Sequence, residues 1–537
     1  MSENRSFDGR NNNKRHPQWG SAGTVLRRVG SADYGNNDFS PRNVNPRLIS
    51  NLVCAAVDIP STANLSDFIW AWGQFIDHEI DLSPEAGTEE VPINIPEGVA
   101  IPEGVDPVNA HIRFSRSEHK LVKVYKCYEF DWLDFLGWFD DDCESTKSRE
   151  QINVLSAYVD GANVYGVNCK RATFLRRLDG SGKLKSEQTR KGEFLPKNPG
   201  GLNNAKAPSS ADDHDFYIAG DVRCNEHGVL TSMHTLFVRE HNRLCDEILA
   251  RFPEQYGSSK KHEQDEAIYQ AARKVVGAIM QVITYKAFLP AILGEDAIPA
   301  YCGYDRHINA TIANEFSTAF YRLGHSMLSE TVPLKNGNEI PLREMFFNPA
   351  RVQSDGIETF LGSLHTHIMQ NIDRHIIDSV RNFLFNPPGM GPDLNVFLDL
   401  VSLNIQRGRD HGLPSYNDCR AAYGLTTYTS FSEISSNPET VQALTDVYPD
   451  VDAIDPWVGA LVEDHVAGAQ VGELIKAALL EQFIRLRDGD RFWWENDPAH
   501  ILSADGMGAE IEAITLSQVL NRNLEGCEFP EDVFHVG

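Results

Sequence analysis

Apolar side chains in this chain recur mostly at helical spacing, and the helical stretches are separated by long connections rich in glycine, proline and polar residues. Between Leu65 and Ile80, Phe68, Ile69, Trp72, Phe75 and Ile76 fall on one face, with N-cap candidates from Ser61 to Ser66 and Pro84 just past the end. Similar periods predict helices over 149–159, 230–251, 264–290, 311–328, 357–385 and 467–487, the last stopped by Asp488-Gly489. Alternating apolar–polar runs are few and short. The pattern specifies a mainly α fold with long ordered loops. Loops of that length in a compact body need something to organise them, such as a bound cofactor.

The 537 residues would allow three or four domains at about 150 residues each. No composition shift marks a linker, so one domain over residues 1–537 is expected. Its first 50 residues, rich in Asn, Arg, Gly, Ser and Pro, predict an irregular arm laid on the surface. Residues 84–110 hold a short duplication, Ile95-Pro-Glu-Gly-Val99 and Ile101-Pro-Glu-Gly-Val105. Two such copies make a Pro/Gly loop and not a repeat fold.

Charge narrows the partners. Asp and Glu total 76 against 49 Lys and Arg, a net charge of −27. That field repels phosphate backbones and anionic lipid, so neither nucleic acid nor a membrane surface is an expected partner. An anionic substrate would need locally placed cations. No uninterrupted apolar run reaches the ~18 residues of a membrane span. The stretch Val275 to Leu293, broken by Gln281, Lys286 and Pro290, reads as an amphipathic core helix. Nine widely spaced cysteines without a CxxC pair make neither a zinc site nor a dense disulfide framework. The opening MSENRSFDGRNNNKR lacks an apolar leader core, which favours a soluble protein that is intracellular or exported by a non-classical route.

Four segments combine residues able to do chemistry. In Gln74-Phe-Ile-Asp77-His78-Glu79-Ile-Asp81, Gln74 and His78 share a helix face, so an amide and an imidazole overlook the same space. Alone, the segment reads as a polar helix end. Ala219-Gly-Asp221-Val-Arg223-Cys-Asn-Glu226-His227 alone is a loop ion pair ahead of a helix. In Tyr321-Arg322-Leu-Gly324-His325, Gly324 beside the histidine lets a bulky group approach, whereas a satisfied core histidine is the ordinary alternative. Leu403-Asn404-Ile-Gln-Arg407-Gly-Arg409-Asp410-His411-Gly412 has the look of a structural ion-pair turn.

Together the four segments resemble the animal-type haem peroxidase family of the peroxidase–cyclooxygenase superfamily. The agreement runs from Arg5-Ser-Phe-Asp-Gly-Arg-Asn-Asn-Asn13 to Glu481-Gln-Phe-Ile-Arg-Leu-Arg-Asp-Gly-Asp-Arg-Phe-Trp-Trp-Glu-Asn496. It includes Arg149-Glu-Gln-Ile-Asn153, Tyr158-Val-Asp-Gly-Ala-Asn-Val-Tyr-Gly166 and Thr231-Ser-Met-His-Thr-Leu-Phe-Val-Arg-Glu-His-Asn-Arg243. The resemblance implies a helical domain around a buried haem b. It implies reduction of hydrogen peroxide through an oxoferryl intermediate, with oxidation of small anions (iodide, bromide, thiocyanate) or phenols.

By the same resemblance His78 is the distal histidine, Arg223 the distal arginine and His325 the proximal iron ligand. Asn404 is the partner of the second His325 nitrogen, and Arg322 faces a haem propionate. Gln74 would hydrogen-bond a distal water or halide. The chemistry suits those residue types: a neutral imidazole can move the peroxide proton, and a permanent cation stabilises charge on the departing oxygen. Asp77 and Glu226 match the carboxylates that esterify haem methyl groups. His227 stands where a sulfonium-forming Met would be, so two ester links and no third bond are expected. A calcium ion is implied at Ser156, Tyr158 (carbonyl) and Asp160 with Glu79, although Ala162 replaces a family serine.

Two alternatives come from other classes. A fatty-acid dioxygenase of the superfamily needs a tyrosine three residues before the proximal histidine, and that position is Arg322. A non-enzymatic adhesion protein would have lost His78, Arg223, His325 or Asn404, and all four are present.

Overall fold

A computed structural model describes residues 4–34, 44–102, 111–125, 145–205, 213–385, 396–496 and 506–537. Its longest helices are Phe68–Ile80, Gly228–Arg251, Lys261–Ile283 and Glu473–Asp488, with Leu400–Asp410 completing the frame of the site. Lys261–Ile283 continues through a π-helical turn, Thr284–Phe288, into Leu289–Leu293. This combined segment is long and apolar enough to cross a membrane, yet 72% of its most apolar window is buried inside the protein. It is a core helix, as its broken apolar pattern suggested. One apolar core draws on residues from Leu26 to Phe534.

The Phe68–Ile80 helix forms where its apolar face predicts, and that face meets Gly228–Arg251. Phe75 stacks on Phe237 with centroids 4.9 Å apart, and Trp72 tilts against the same ring at 5.8 Å. The entry to the helix differs from the expected Ser cap. Asp67 is the N-cap, but its carboxylate accepts from the Trp70 indole at 2.8 Å instead of capping a backbone amide. Ser66 supplies the oxygen for the Phe68 N–H at 3.2 Å. The preceding residues are pinned by a segment far along the chain: Ser66 N–H donates to Phe534 O and Val536 N–H to Asn64 O, both at 2.8 Å.

Three expected helices are not realised. Residues 149–159 begin as the end of strand Ser145–Asn153, which pairs with His119–Tyr125 on one side and Thr24–Val25 on the other. Partners that distant leave no trace in a short local period. Residues 357–385 break into Ile357–Leu361, a turn at Leu364–Thr366 and Asp378–Arg381. Between them Ile368 and Gln370 bridge Ser66 and Pro60 in extended form. Residues 311–328 split into Asn314–Thr318 and a 3₁₀ segment, Phe320–Ser326.

Loops were misjudged in two places. Within 84–110, Glu85–Glu90 and Ile93–Asn94 are strands paired to Ser115–Ser117 and His111–Ile112, while 103–110 lie outside the described residues. The N-terminal arm is tied into the body and not merely laid on it. Arg5 pairs with Asp490 at 2.5 Å, and the buried Asn12 amide donates to the same carboxylate at 2.7 Å. Among the described residues, Cys54, Cys169, Cys224, Cys245, Cys302 and Cys527 are free thiols; Cys127 and Cys143 lie outside the described residues.

Candidate active site

Three of the four chemical segments line one cavity of about 260 Å³, and the fourth joins it through Asn404, which contacts His325. His78, Asp77 and Gln74 reach it from the Phe68–Ile80 helix, and Arg223 and Glu226 from the turn before Gly228–Arg251. Arg322 and His325 come from the 3₁₀ segment, where residues three apart eclipse and therefore share one face. The break that defeated the helical period thus places these two side by side. Apolar walls are supplied by Phe288, Ile292, Leu323, Leu342, Phe346 and Leu384. Gly324 leaves open space where a Cβ would project.

On one wall, His78 is 3% exposed, and its Nδ1 has no hydrogen-bond partner. Burial, with Arg223 nearby, holds its pKa well below the usual 6.5, so the ring is neutral. Arg223 is fixed by a two-pronged pair: Nε donates to Asp221 Oδ1 at 2.9 Å and Nη2 to Asp221 Oδ2 at 3.1 Å. Nη2 also donates to Asp81 O at 2.8 Å, and Nη1 reaches Asp77 at 3.4 Å. Burial opposes the Asp221 charge, yet Arg223 and His78 hold that carboxyl far below its usual range.

Gln74 lines the cavity, but both ends of its amide are engaged within the protein. His227 is the N-cap of Gly228–Arg251, and its Nδ1 accepts from Leu230 N–H at 3.2 Å. That leaves Nε2–H to donate to Gln74 Oε1 at 2.7 Å, and Gln74 Nε2 donates to Glu226 Oε1 at 3.1 Å. Burial keeps His227 neutral, with a pKa of about 3. Burial also pushes Glu226 up to about 7 and Asp81 up to about 8, and it raises Asp77.

Opposite, His325 Nδ1 lies 2.7 Å from Asn404, whose position follows from Asp399 capping Leu400–Asp410. Arg322 donates to Asn404 Oδ1 at 3.0 Å, turning the amide nitrogen toward His325. Burial and Arg322 lower the His325 pKa to about 3. A metal ligand at Nε2 would carry its proton on Nδ1, and Asn404 would then have to turn its oxygen to His325 and release Arg322.

The segments around Glu79 also meet. Its carboxylate accepts four amides, from Asp160, Gly161, Ala162 and Asn163, at 2.5 to 3.1 Å. Ser156 Oγ donates to Asp160 Oδ2 at 3.0 Å. The loop ion pair expected ahead of the helix is Asp221 with Arg223, whereas no sequence signal marked Asp81 or His227 as holding its neighbours.

A neutral imidazole, a fixed guanidinium and a second imidazole thus line one largely apolar cavity, a set of groups able to receive a porphyrin. A model of the animal haem peroxidase family matches residues 4–534. Peroxinectin A of Dictyostelium discoideum is 34% identical over 529 residues, spanning 97% of this chain and 93% of that protein. Peroxidasin of Drosophila melanogaster is 32% identical; the match spans 92% of this chain but 34% of that protein. The solved structure of Dictyostelium discoideum peroxidase A superposes with a TM-score of 0.85 at 33% identity, covering both chains fully. An Oryza sativa fatty acid alpha-dioxygenase shares the fold, with a TM-score of 0.76 at 20% identity over 99% of this chain and 87% of that one. The chain belongs to the animal haem peroxidase family.

Proposed function

We propose that this protein reduces hydrogen peroxide and oxidises a small anion, such as iodide, bromide or thiocyanate, or a phenolic donor. The observation that carries the reading is the convergence of His78, Arg223 and His325 on one cavity. The residues fit haem b: His325 as an iron ligand, His78 and Arg223 as the pair that handles proton and charge, Arg322 for a propionate, and open space at Gly324. When bound, the haem supplies the iron at which the peroxide bond is split. His78 takes the proton from the incoming peroxide oxygen and returns it to the departing one. Arg223, prevented from swinging away by Asp221, meets the negative charge that develops there. Arg223 and Arg322 are also the local cations that an anionic donor requires in so acidic a chain.

The haem-supplemented protein should show a Soret band and oxidise guaiacol with peroxide. Stopped-flow mixing with each halide would then rank the donors. A colourless protein, or one coloured but inert toward every donor, would end the reading. The dioxygenase alternative gains nothing from the site, since Arg322 is the residue eclipsing His325; no oxygen uptake with palmitic acid is expected.

Calcium belongs to the same proposal on narrower grounds. Asp160 Oδ1 is buried without a partner beside Ser156, and a hard cation takes six to eight oxygens. Glu79 fits less well, its oxygens being committed to amides and its pKa pushed to about 8 by burial and Asp160. Among the described residues no cluster of three or more His, Cys, Asp or Glu side chains is arranged for a metal. Backbone and hydroxyl oxygens would therefore carry much of the coordination. Chelation should lower the melting temperature, the ion contributing about 3 kcal/mol at a hundredfold its Kd. A melting curve unmoved by chelator and by added calcium would exclude the ion.

A further inference from the structure

A file of aromatic rings runs from the cavity wall to the protein surface. Tyr321 lines the cavity, and its centroid lies 5.6 Å from that of Phe483. Phe483 is 5.9 Å from Tyr285, Tyr285 is 4.8 Å from Trp493, and Trp493 is 6.0 Å from the partly exposed Tyr301. Phe316 broadens the first step, stacking on Tyr321 at 4.8 Å and meeting Phe483 at 5.7 Å. Tyr285 falls within the π-helical turn Thr284–Phe288. Such turns insert an extra residue into a helix and recur at functional sites.

The proton partners along the file differ, and the difference gives it a direction. Tyr321 donates to Gly73 O at 3.3 Å and Tyr285 to Phe483 O at 2.6 Å. Backbone carbonyls are too weakly basic to keep a proton, so neither phenol is a resting place for an oxidised state. Trp493, 2% exposed, donates its Nε1–H to the Glu495 carboxylate at 2.8 Å, and Glu495 is exposed. Neighbouring Trp494 is a poorer stop, because the Lys286 ammonium lies 5.2 Å over its ring and opposes positive charge there.

We propose that these rings form an electron path, and that Trp493, buried just beneath the partly exposed Tyr301 and the exposed Glu495, is a second oxidation site for phenols on molecules too large for the cavity. The inference rests on the peroxidase reading, which supplies the oxidant: haem charged by hydrogen peroxide. One electron leaves the Trp493 indole for the oxidised cofactor through Tyr285, Phe483 and Tyr321, and the Nε1 proton passes to Glu495. The neutral indolyl radical then takes an electron from an external phenol, whose proton goes to solvent. Glu495 returns its proton to Nε1, restoring the tryptophan. Each cycle removes one electron and one proton from one phenol, so one peroxide serves two.

The test compares free tyramine with tyramine coupled to dextran, on haem-loaded wild type and Trp493→Phe, which keeps an aromatic ring in the same packing. Wild type should oxidise both donors, and a nitroso spin trap should mark the peptide containing Trp493. Trp493→Phe should keep free-tyramine turnover, lose dextran–tyramine turnover by about tenfold or more, and lose the trapped adduct. Full dextran–tyramine turnover in the variant would overturn the proposal, as would an unmarked Trp493 peptide in wild type. Equal loss of both donors would reduce Trp493 to a structural role. Wild type inert even toward free tyramine would instead remove the peroxidase reading itself, and the oxidant with it.

Discussion

Replacing Arg223 by alanine is expected to slow the reaction of the haem-loaded protein with hydrogen peroxide by about 10²-fold or more, as loss of one preorganised oxyanion donor does elsewhere. The effect should be large because the guanidinium is held in place before peroxide arrives, by both oxygens of Asp221. Lysine should recover little, since a point charge on a flexible stem cannot make that two-pronged contact. Asp221→Asn should reproduce part of the loss by releasing the arginine. Stopped-flow absorbance under pseudo-first-order peroxide reads all three, and a wild-type rate in the alanine variant would mean the role is misassigned. The pH profile gives an independent check. Because burial lowers the His78 pKa well below 6.5, the ring stays an unprotonated base as pH falls through 6.5. The peroxide rate should therefore stay level there and decline only in more acid solution; a midpoint near 6.5 would place the base elsewhere.

The second large effect concerns how the haem is retained. After peroxide treatment, acidified butanone should leave haem with the polypeptide, and Asp77→Ala combined with Glu226→Ala should release it into the organic layer. Each single variant should keep one link. Both carboxyls line the same cavity as His78. Burial pushes the Glu226 pKa to about 7, so near neutral pH much of it is an uncharged acid. Protease digestion distinguishes one link from two, because a doubly linked haem carries two peptides and a singly linked one carries one. His227 cannot form a sulfonium bond, so no third link should appear. Haem extracted cleanly from peroxide-treated wild type would dismiss the ester assignment.

Much of the site was legible because its residues sit in segments whose local pattern is strong. The helix carrying His78 announces itself through a face that buries Phe68, Trp72 and Phe75, and the Gly228–Arg251 helix through its long period. What escaped was decided by partners distant in the chain. The end of strand Ser145–Asn153 is held by Thr24–Val25, from the start of the chain. The 3₁₀ segment at Phe320–Ser326 carries apolar residues compatible with a period of either three or 3.6, so sequence could not choose. Tertiary neighbours also set the polar contacts. Nothing in the sequence says that His227 would orient Gln74, or that Arg322 would reach Asn404.

The pinning of residues 64–66 by residues 534–536 has a consequence for the order of assembly. A contact between segments so remote closes a very large loop and forms late. While the chain is still emerging from the ribosome, the helix bearing His78 lacks its anchor, even though His325 and Asn404 have already been synthesised. An iron porphyrin reaching the nascent polypeptide would find its ligand ready before the opposite wall is secured. Insertion from that unfinished side needs no later opening of the fold.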